Sequence, residues 1–128
     1  MSATARNKAA VQRLVDEVIN DGRLDAVAEL YTPETAAAAK RWIEPFRRSF
    51  PDVHREIVDL VAEDDQVVGR FLCSGTHRGR WRGHQPTGRR FERVDEVYFF
   101  SFRDGMIAGA WGLEDNAKRL RQLGLESG

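Results

Sequence analysis

The spacing of apolar residues changes once along this chain, near residue 52, and that change restricts the fold more than any other feature. Before it, Ala10, Val11, Leu14, Val15, Val18 and Ile19 recur at intervals of three and four, with Arg13, Asp16, Glu17 and Asn20 between them. That is the stripe of an amphipathic helix. Gly22 is placed to end it in a left-handed cap, and Leu24, Val27, Ala28, Leu30 and Tyr31 predict a shorter second helix that Pro33 closes. From Glu34 to Phe50, a run of alanines followed by Trp42, Ile43, Phe46 and Phe50 predicts a third helix, with a kink or break at Pro45. After residue 52 the period becomes two. Val53 to Ala62 and Gln66 to His77 read as strands joined by the turn Glu63-Asp64-Asp65. A glycine-bearing loop from Arg78 to Gly88 precedes the longest strand, Arg90 to Arg103, and Asp104-Gly105 turns it into Met106 to Leu113. Asp115 to Gly124 closes the chain as a short helix with an acidic cap and a glycine stop. Helices first and a meander second predict an α+β fold, with helices laid against one face of a curved, mostly antiparallel sheet.

Length and charge narrow the function. At 128 residues, one domain spanning 1–128 is expected. Lys+Arg 20 against Asp+Glu 20 leaves no global field to recruit nucleic acid or an anionic membrane. No apolar run spans a bilayer and the first eight residues lack a secretory pattern, so a soluble cytoplasmic protein is expected. Cys73 stands alone, and no two of His54, His77 and His84 have the i, i+4 spacing of a helical metal site. Gly79-Arg80-Trp81-Arg82-Gly83 fits neither the Walker nor the dinucleotide-binding pattern. The loop Arg78 to His84 is basic and aromatic like a short RNA-contacting patch, but with no charged face elsewhere it reads as a solvated loop or as a dock for an acidic acyl carrier protein, and no nucleic-acid partner is expected.

Three local strings carry a resemblance. They are Gly75-Thr76-His77-Arg78-Gly79 followed by Pro86-Thr87-Gly88-Arg89-Arg90; Phe100-Ser101-Phe102-Arg103-Asp104-Gly105-Met106-Ile107; and Trp111-Gly112-Leu113-Glu114-Asp115 with Leu120, Gln122, Leu123 and Gly124. Together with the opening helix and the Gly22-Arg23-Leu24-Asp25 break, these resemble the SnoaL-like polyketide cyclases over roughly residues 7 to 124. The segment Thr32 to Lys40 is shorter and plainer than in that family. The resemblance implies a cone-shaped α+β barrel with N-terminal helices on the concave face of the sheet, enclosing a cavity. It also implies cofactor-independent ring closure in polyketide-type antibiotic biosynthesis, and a homodimer formed through the sheet. The substrate class implied is a small hydrophobic oxygenated molecule.

In that family an aspartate serves as acid and base, and Asp115 matches it. Such a role needs a carboxyl kept from water, because burial disfavours its charged form. Trp111 and Leu113 share its side of an extended strand and would wall it in. The other reading of Asp115 is a helix N-cap. His77 could polarise a carbonyl or hydrogen-bond the backbone at the rim. Of Asp95 and Glu96, alternation turns one inward; it either pairs with Arg70 or Arg93 across the sheet, or joins Asp115 as a catalytic carboxylate pair. The catalytic expectation is therefore Asp115, His77 and Glu96. Trp111, Tyr98, Trp42, Leu113 and Phe46 are expected to contact substrate, with no metal. Two rivals share the cavity: an epoxide hydrolase or ether-forming cyclase, which needs Asp95 or Glu96 to face Asp115, and a non-catalytic small-molecule-binding dimerisation module.

Overall fold

The computed structural model describes residues 1–125. Helix α1 (Ala3–Arg13) starts at Ser2, whose hydroxyl accepts the Ala5 N–H at 3.1 Å, and continues as a wider π-helical segment over Leu14–Asn20. That segment buries Leu14, Val15, Val18 and Ile19, and the chain turns at Gly22 with φ +77°. A 3₁₀ turn (Leu24–Ala26) leads into the single turn of α2 (Val27–Leu30). Pro33, expected to close the second helix, instead opens α3 (Pro33–Ser49), where its missing N–H has no intrahelical partner to lose. Pro45 does not break α3. The helix runs on to Ser49, and the Ser49 hydroxyl donates to the Pro45 carbonyl at 3.2 Å.

Four strands follow as a meander in the order β1-β2-β3-β4, all antiparallel: β1 (His54–Glu63), β2 (Gln66–Thr76), β3 (Arg90–Arg103) and β4 (Met106–Glu114). Helix α4 (Asn116–Gln122) returns against β3. The register slips once in each pairing, and the unmatched residues bend the sheet towards the helices. One slip, at Arg93 with φ +52°, lets both Phe91 and Val94 face inward. The concave face packs Val67, Phe71, Phe100, Phe102 and Ile107 against the buried stripe of α1 to α3. A second cluster of Phe50, Val53, Cys73, Phe91, Val94 and Leu123 is closed by α4. Thr32 ties the start of α3 to β4 by donating its N–H to the Ile107 carbonyl at 3.0 Å. No helix among the described residues is long and apolar enough to cross a membrane.

Candidate functional site

The pairing of β3 with β4 decides which side chains meet under α3. Tyr98 lies opposite Gly112, Phe100 opposite Ala110, and Glu96 opposite Glu114. Alternation turns these inward and leaves Phe99 and Trp111, a facing pair, on the convex side. Gly112 makes the arrangement feasible, because a Cβ there would sit 2.3 Å from the Tyr98 ring. The ring lies across that bare backbone with Trp42 of α3 stacked over it, centroids 6.3 Å apart and planes 11° from parallel.

Beside this stack is a hollow of about 570 Å³, open to solvent along one side and lined by Trp42, Phe46, Tyr98, Ala110, Gly112, Leu113, Glu114 and Asn116. Its size lies in the range of small-molecule sites, and its wall is mostly apolar with a few polar groups. The carboxylate in the wall is Glu114. Its Oε2 accepts the Tyr98 hydroxyl proton, and its Oε1 accepts from Arg119 Nη1 at 3.0 Å. Burial alone would push Glu114 up, but the Tyr98 hydrogen bond and then the Arg119 and Arg55 charges hold it below the usual carboxylate range. Burial, reinforced by the neighbouring Glu114 charge, pushes the Tyr98 phenol well above its ordinary value. The resting pair is thus a carboxylate held charged beside a phenol held protonated.

Behind the pair lies a buried ion network. Glu96 forms an ion pair with Arg55 Nη2 at 2.6 Å through Oε1 and accepts a hydrogen bond from Arg119 Nη2 through Oε2, and all three side chains are at most 3% exposed. Arg119 also donates to Asn116 Oδ1, and its guanidinium lies 4.6 Å from the Phe91 ring centre. Asn20 fixes the start of β1, accepting the Arg55 N–H at 2.7 Å and donating to the Arg55 carbonyl at 3.1 Å.

The residues singled out from sequence divide accordingly. Tyr98, Trp42, Phe46 and Leu113 line the hollow, Leu113 at its rim. Trp111 does not. It stands on the convex face, 60% exposed, with its ring 5.7 Å from that of Phe99. Asp115 is exposed and accepts the Lys118 N–H at 3.0 Å as the cap of α4. It does share the side of Trp111 and Leu113, but that side faces water, so the apolar wall expected around it is absent. Glu96 does face inward, yet the arginines that meet it are Arg55 and Arg119; Arg70 pairs instead with Asp95 at 2.9 Å. Asp95 is engaged by Arg70, Glu96 by Arg55 and Arg119, and the exposed Asp115 by the Lys118 N–H, so these residues do not form the shielded carboxylate pair that epoxide opening requires; Asp115 also donates its N–H to the Asp95 carbonyl at 3.0 Å. His77 is fully buried away from the hollow. Its Nδ1 accepts the Thr87 N–H at 3.2 Å, its ring packs 5.6 Å from Phe50, and burial pushes its pKa below the ordinary histidine value.

Glu114, Arg119, Arg55 and Asn116 were missed. The available signal was an arginine at a core position. Arg55 keeps the inward parity of Ile57, and Arg119 stands four residues before the buried Leu123 on α4.

The model of the SnoaL-like polyketide cyclase family matches residues 9–123. Among proteins similar to this chain, the aklanonic acid methyl ester cyclase DauD of Streptomyces sp. (strain C5) is 28% identical over 94% of the chain and 73% of its own length. The enzyme of the same name from Streptomyces peucetius, DnrD, is 30% identical over 84% of the chain and 72% of its own length. Among solved structures, AclR from Streptomyces galilaeus, which carries the name of a hydroxylase, superposes with a TM-score of 0.84 at 27% identity, covering 94% of this chain and 82% of its own.

Proposed function

The chain belongs to the SnoaL-like polyketide cyclase family, and from that premise we propose that it closes a carbocyclic ring in a methyl-esterified polyketide by intramolecular aldol addition. The reaction takes place in the hollow under α3, with Glu114 and Tyr98 as base and acid and no metal or organic cofactor. The observation that carries this reading is the Glu114–Tyr98 pair on the wall of an otherwise apolar hollow. The cyclases DauD and DnrD are named for a methyl ester. Esterification matters chemically: a free carboxylate resists a second negative charge at its α-carbon, whereas an ester accepts it by delocalisation. A methyl ester is also not tethered to a carrier protein, so this substrate class gives the basic loop at Arg78 to His84 no carrier to dock.

Each step balances within the chain. Glu114 Oε2 takes the α-proton, the enolate carbon forms a bond to a ketone carbon of the same molecule, and the oxygen that becomes negative takes the Tyr98 proton. Glu114 then returns its proton to Tyr98, and the product is an isomer of the substrate. A resting Glu114 held low is a weak base. Once Tyr98 turns its hydroxyl to the ketone and substrate fills the open side, Glu114 loses the hydrogen bond that chiefly holds it down. Burial then raises its basicity at the moment of use.

The convex face supports a homodimer. The register aligns Val61, Val68, Phe99 and Trp111 in one row across all four strands, and of these Val61, Phe99 and Trp111 are exposed. Such a row is self-complementary about a two-fold axis.

The test uses aklanonic acid methyl ester as probe substrate, with product followed by chromatography. Glu114→Gln should lower turnover about 10²- to 10⁴-fold, while Asp115→Asn, which keeps a good helix cap, should retain it. Full turnover in Glu114→Gln would overturn the assignment. Its loss in Asp115→Asn alone would move the proton shuttle to Asp115.

A further inference from the structure

We propose that Arg119, Glu96 and Arg55 are positioning residues for Glu114: a buried chain of alternating charge that occupies one oxygen of its carboxylate and leaves the other for the substrate proton. This rests on Glu114 being the base. The geometry is a closed circuit. Arg119 binds Glu114 Oε1 at 3.0 Å and also Glu96; Glu96 binds Arg55 at 2.6 Å; the Arg55 guanidinium lies 5.4 Å from the centre of the Tyr98 ring; and the Tyr98 hydroxyl reaches Glu114 Oε2. Each arginine meets either the carboxylate or its phenol partner, and Glu96 joins the two arginines.

Stability alone does not account for such a circuit. Burying charged groups is costly, and apolar residues of similar volume often stabilise a core at least as well. What apolar residues cannot do is fix the orientation of a carboxylate at the edge of a hollow. Asn20 clamps the backbone of Arg55 and Asn116 Oδ1 accepts from Arg119 Nη1, so both arginines of the circuit are themselves held.

The charges also set how Glu114 titrates. The groups facing it are Tyr98 and Glu96 from β3, Arg119 from α4, Arg55 from β1, and only the uncharged Trp42 and Phe46 from α3; the Cys73 thiol of β2 adjoins the network and is pushed by burial up to about 12. Removing Arg119 takes away both a donor and a positive charge, so the midpoint of Glu114 should rise. Neutralising Glu96 leaves the two arginines less compensated, so the midpoint should fall. Opposite shifts follow from the opposite charges; positioning is distinguished from packing when the acid limb of the turnover pH profile moves together with the Glu114 midpoint.

The experiment is a carboxyl ¹³C NMR titration of the full chain labelled at glutamate, with the Glu114 resonance identified by its loss in Glu114→Gln. Arg119→Met should raise the Glu114 midpoint by about 1 to 3 pH units. Arg119→Lys, which keeps a charge but cannot bridge two carboxylates with a planar fork, should give a smaller rise. The isosteric Glu96→Gln should lower the midpoint. If Arg119→Met fails to fold, Arg119→Lys and Glu96→Gln decide. Midpoints within about 0.5 pH unit of wild type in both would overturn the positioning role. Turnover separates this from the parent reading: an active Glu114→Gln removes the base itself, whereas an inactive Glu114→Gln with unmoved titrations removes only the positioning network.

Discussion

Gly112→Ala tests the architecture of the hollow with a single methyl group. The added Cβ would lie 2.3, 2.4 and 2.8 Å from three atoms of the Tyr98 ring. Ordinary carbon contacts are about 3.5 to 4.0 Å, so the ring must retreat by about 1 Å or the strands must separate. Retreat is blocked on several sides, by Trp42 at 6.3 Å, Phe100 at 6.0 Å and Phe71 at 6.4 Å between ring centres, and by the Arg55 guanidinium at 5.4 Å. Overpacking of this kind costs about 1 to 3 kcal/mol. Replacing a strand glycine returns about 0.5 to 1 kcal/mol of backbone entropy, which leaves a net loss of about 0 to 2.5 kcal/mol, centred near 1.3 kcal/mol. For a chain of this length that corresponds to a melting temperature lower by about 3 to 8 °C. Urea unfolding supplies the measurement, with Gly109→Ala as comparison, since an added Cβ there meets only the Ser101 hydroxyl, at 2.9 Å. In a Tyr98→Ala background only the glycine term remains, so Gly112→Ala should stabilise by about 0.5 to 1 kcal/mol, giving a coupling energy of about 1 to 3 kcal/mol. A coupling energy near zero, or a penalty that persists without the Tyr98 ring, would refute the packing argument.

Two further outcomes follow from the same geometry. His77 is buried with a pKa below the 6.5 of an ordinary histidine, so between those two values the unfolded chain binds the extra proton; its stabilising contribution is full above pH 6.5 and is lost as pH falls towards the folded-state value. Wild type should therefore lose more stability than His77→Gln between about pH 7.5 and 5.5, read from urea midpoints, and equal losses would contradict the burial argument. On the convex face, Trp111→Lys places a charge at the β4 end of the exposed row, beside Phe99, so sedimentation velocity should show a dimer in wild type and a monomer in the variant. A wild type that is already monomeric at micromolar concentration would remove the dimer.

The elements were legible because each carries its own period: β3 occupies Arg90–Arg103 as its alternation requires, and α4 begins just after the acidic cap at Asp115. Face assignment was less legible. In β3, Phe91 and Phe99 are four even steps apart by twos and should share a side, yet Phe91 is buried and Phe99 is 41% exposed. The unmatched residue at Arg93 reverses the faces between them, and no local composition announces it. The arginines were hidden for a different reason. A charged residue is ordinarily assigned to solvent, and Arg55 and Arg119 are buried only because Glu96, distant from both in sequence, meets them. A pairing of this kind exists only once β1, β3 and α4 have assembled.

The same reasoning explains why the expected site falls one residue away from the carboxylate in the hollow. Counting by twos from Trp111 puts Leu113 and Asp115 on its side, and an aromatic residue invites the inference that its side is the inner one. The facing strand decides otherwise. Trp111 opposes Phe99 while Gly112 opposes Tyr98, and Tyr98 must lie inward because its ring needs the bare backbone of Gly112 and the cover of Trp42. Glu114, two residues beyond Gly112, inherits that inward direction and meets Arg119 one helical turn into α4. Asp115 then stands where the strand ends and the helix begins, and its oxygen satisfies the Lys118 N–H that the first turn of α4 leaves without a partner. One carboxylate starts the helix and the other faces the hollow, and the bare backbone at Gly112 separates their directions.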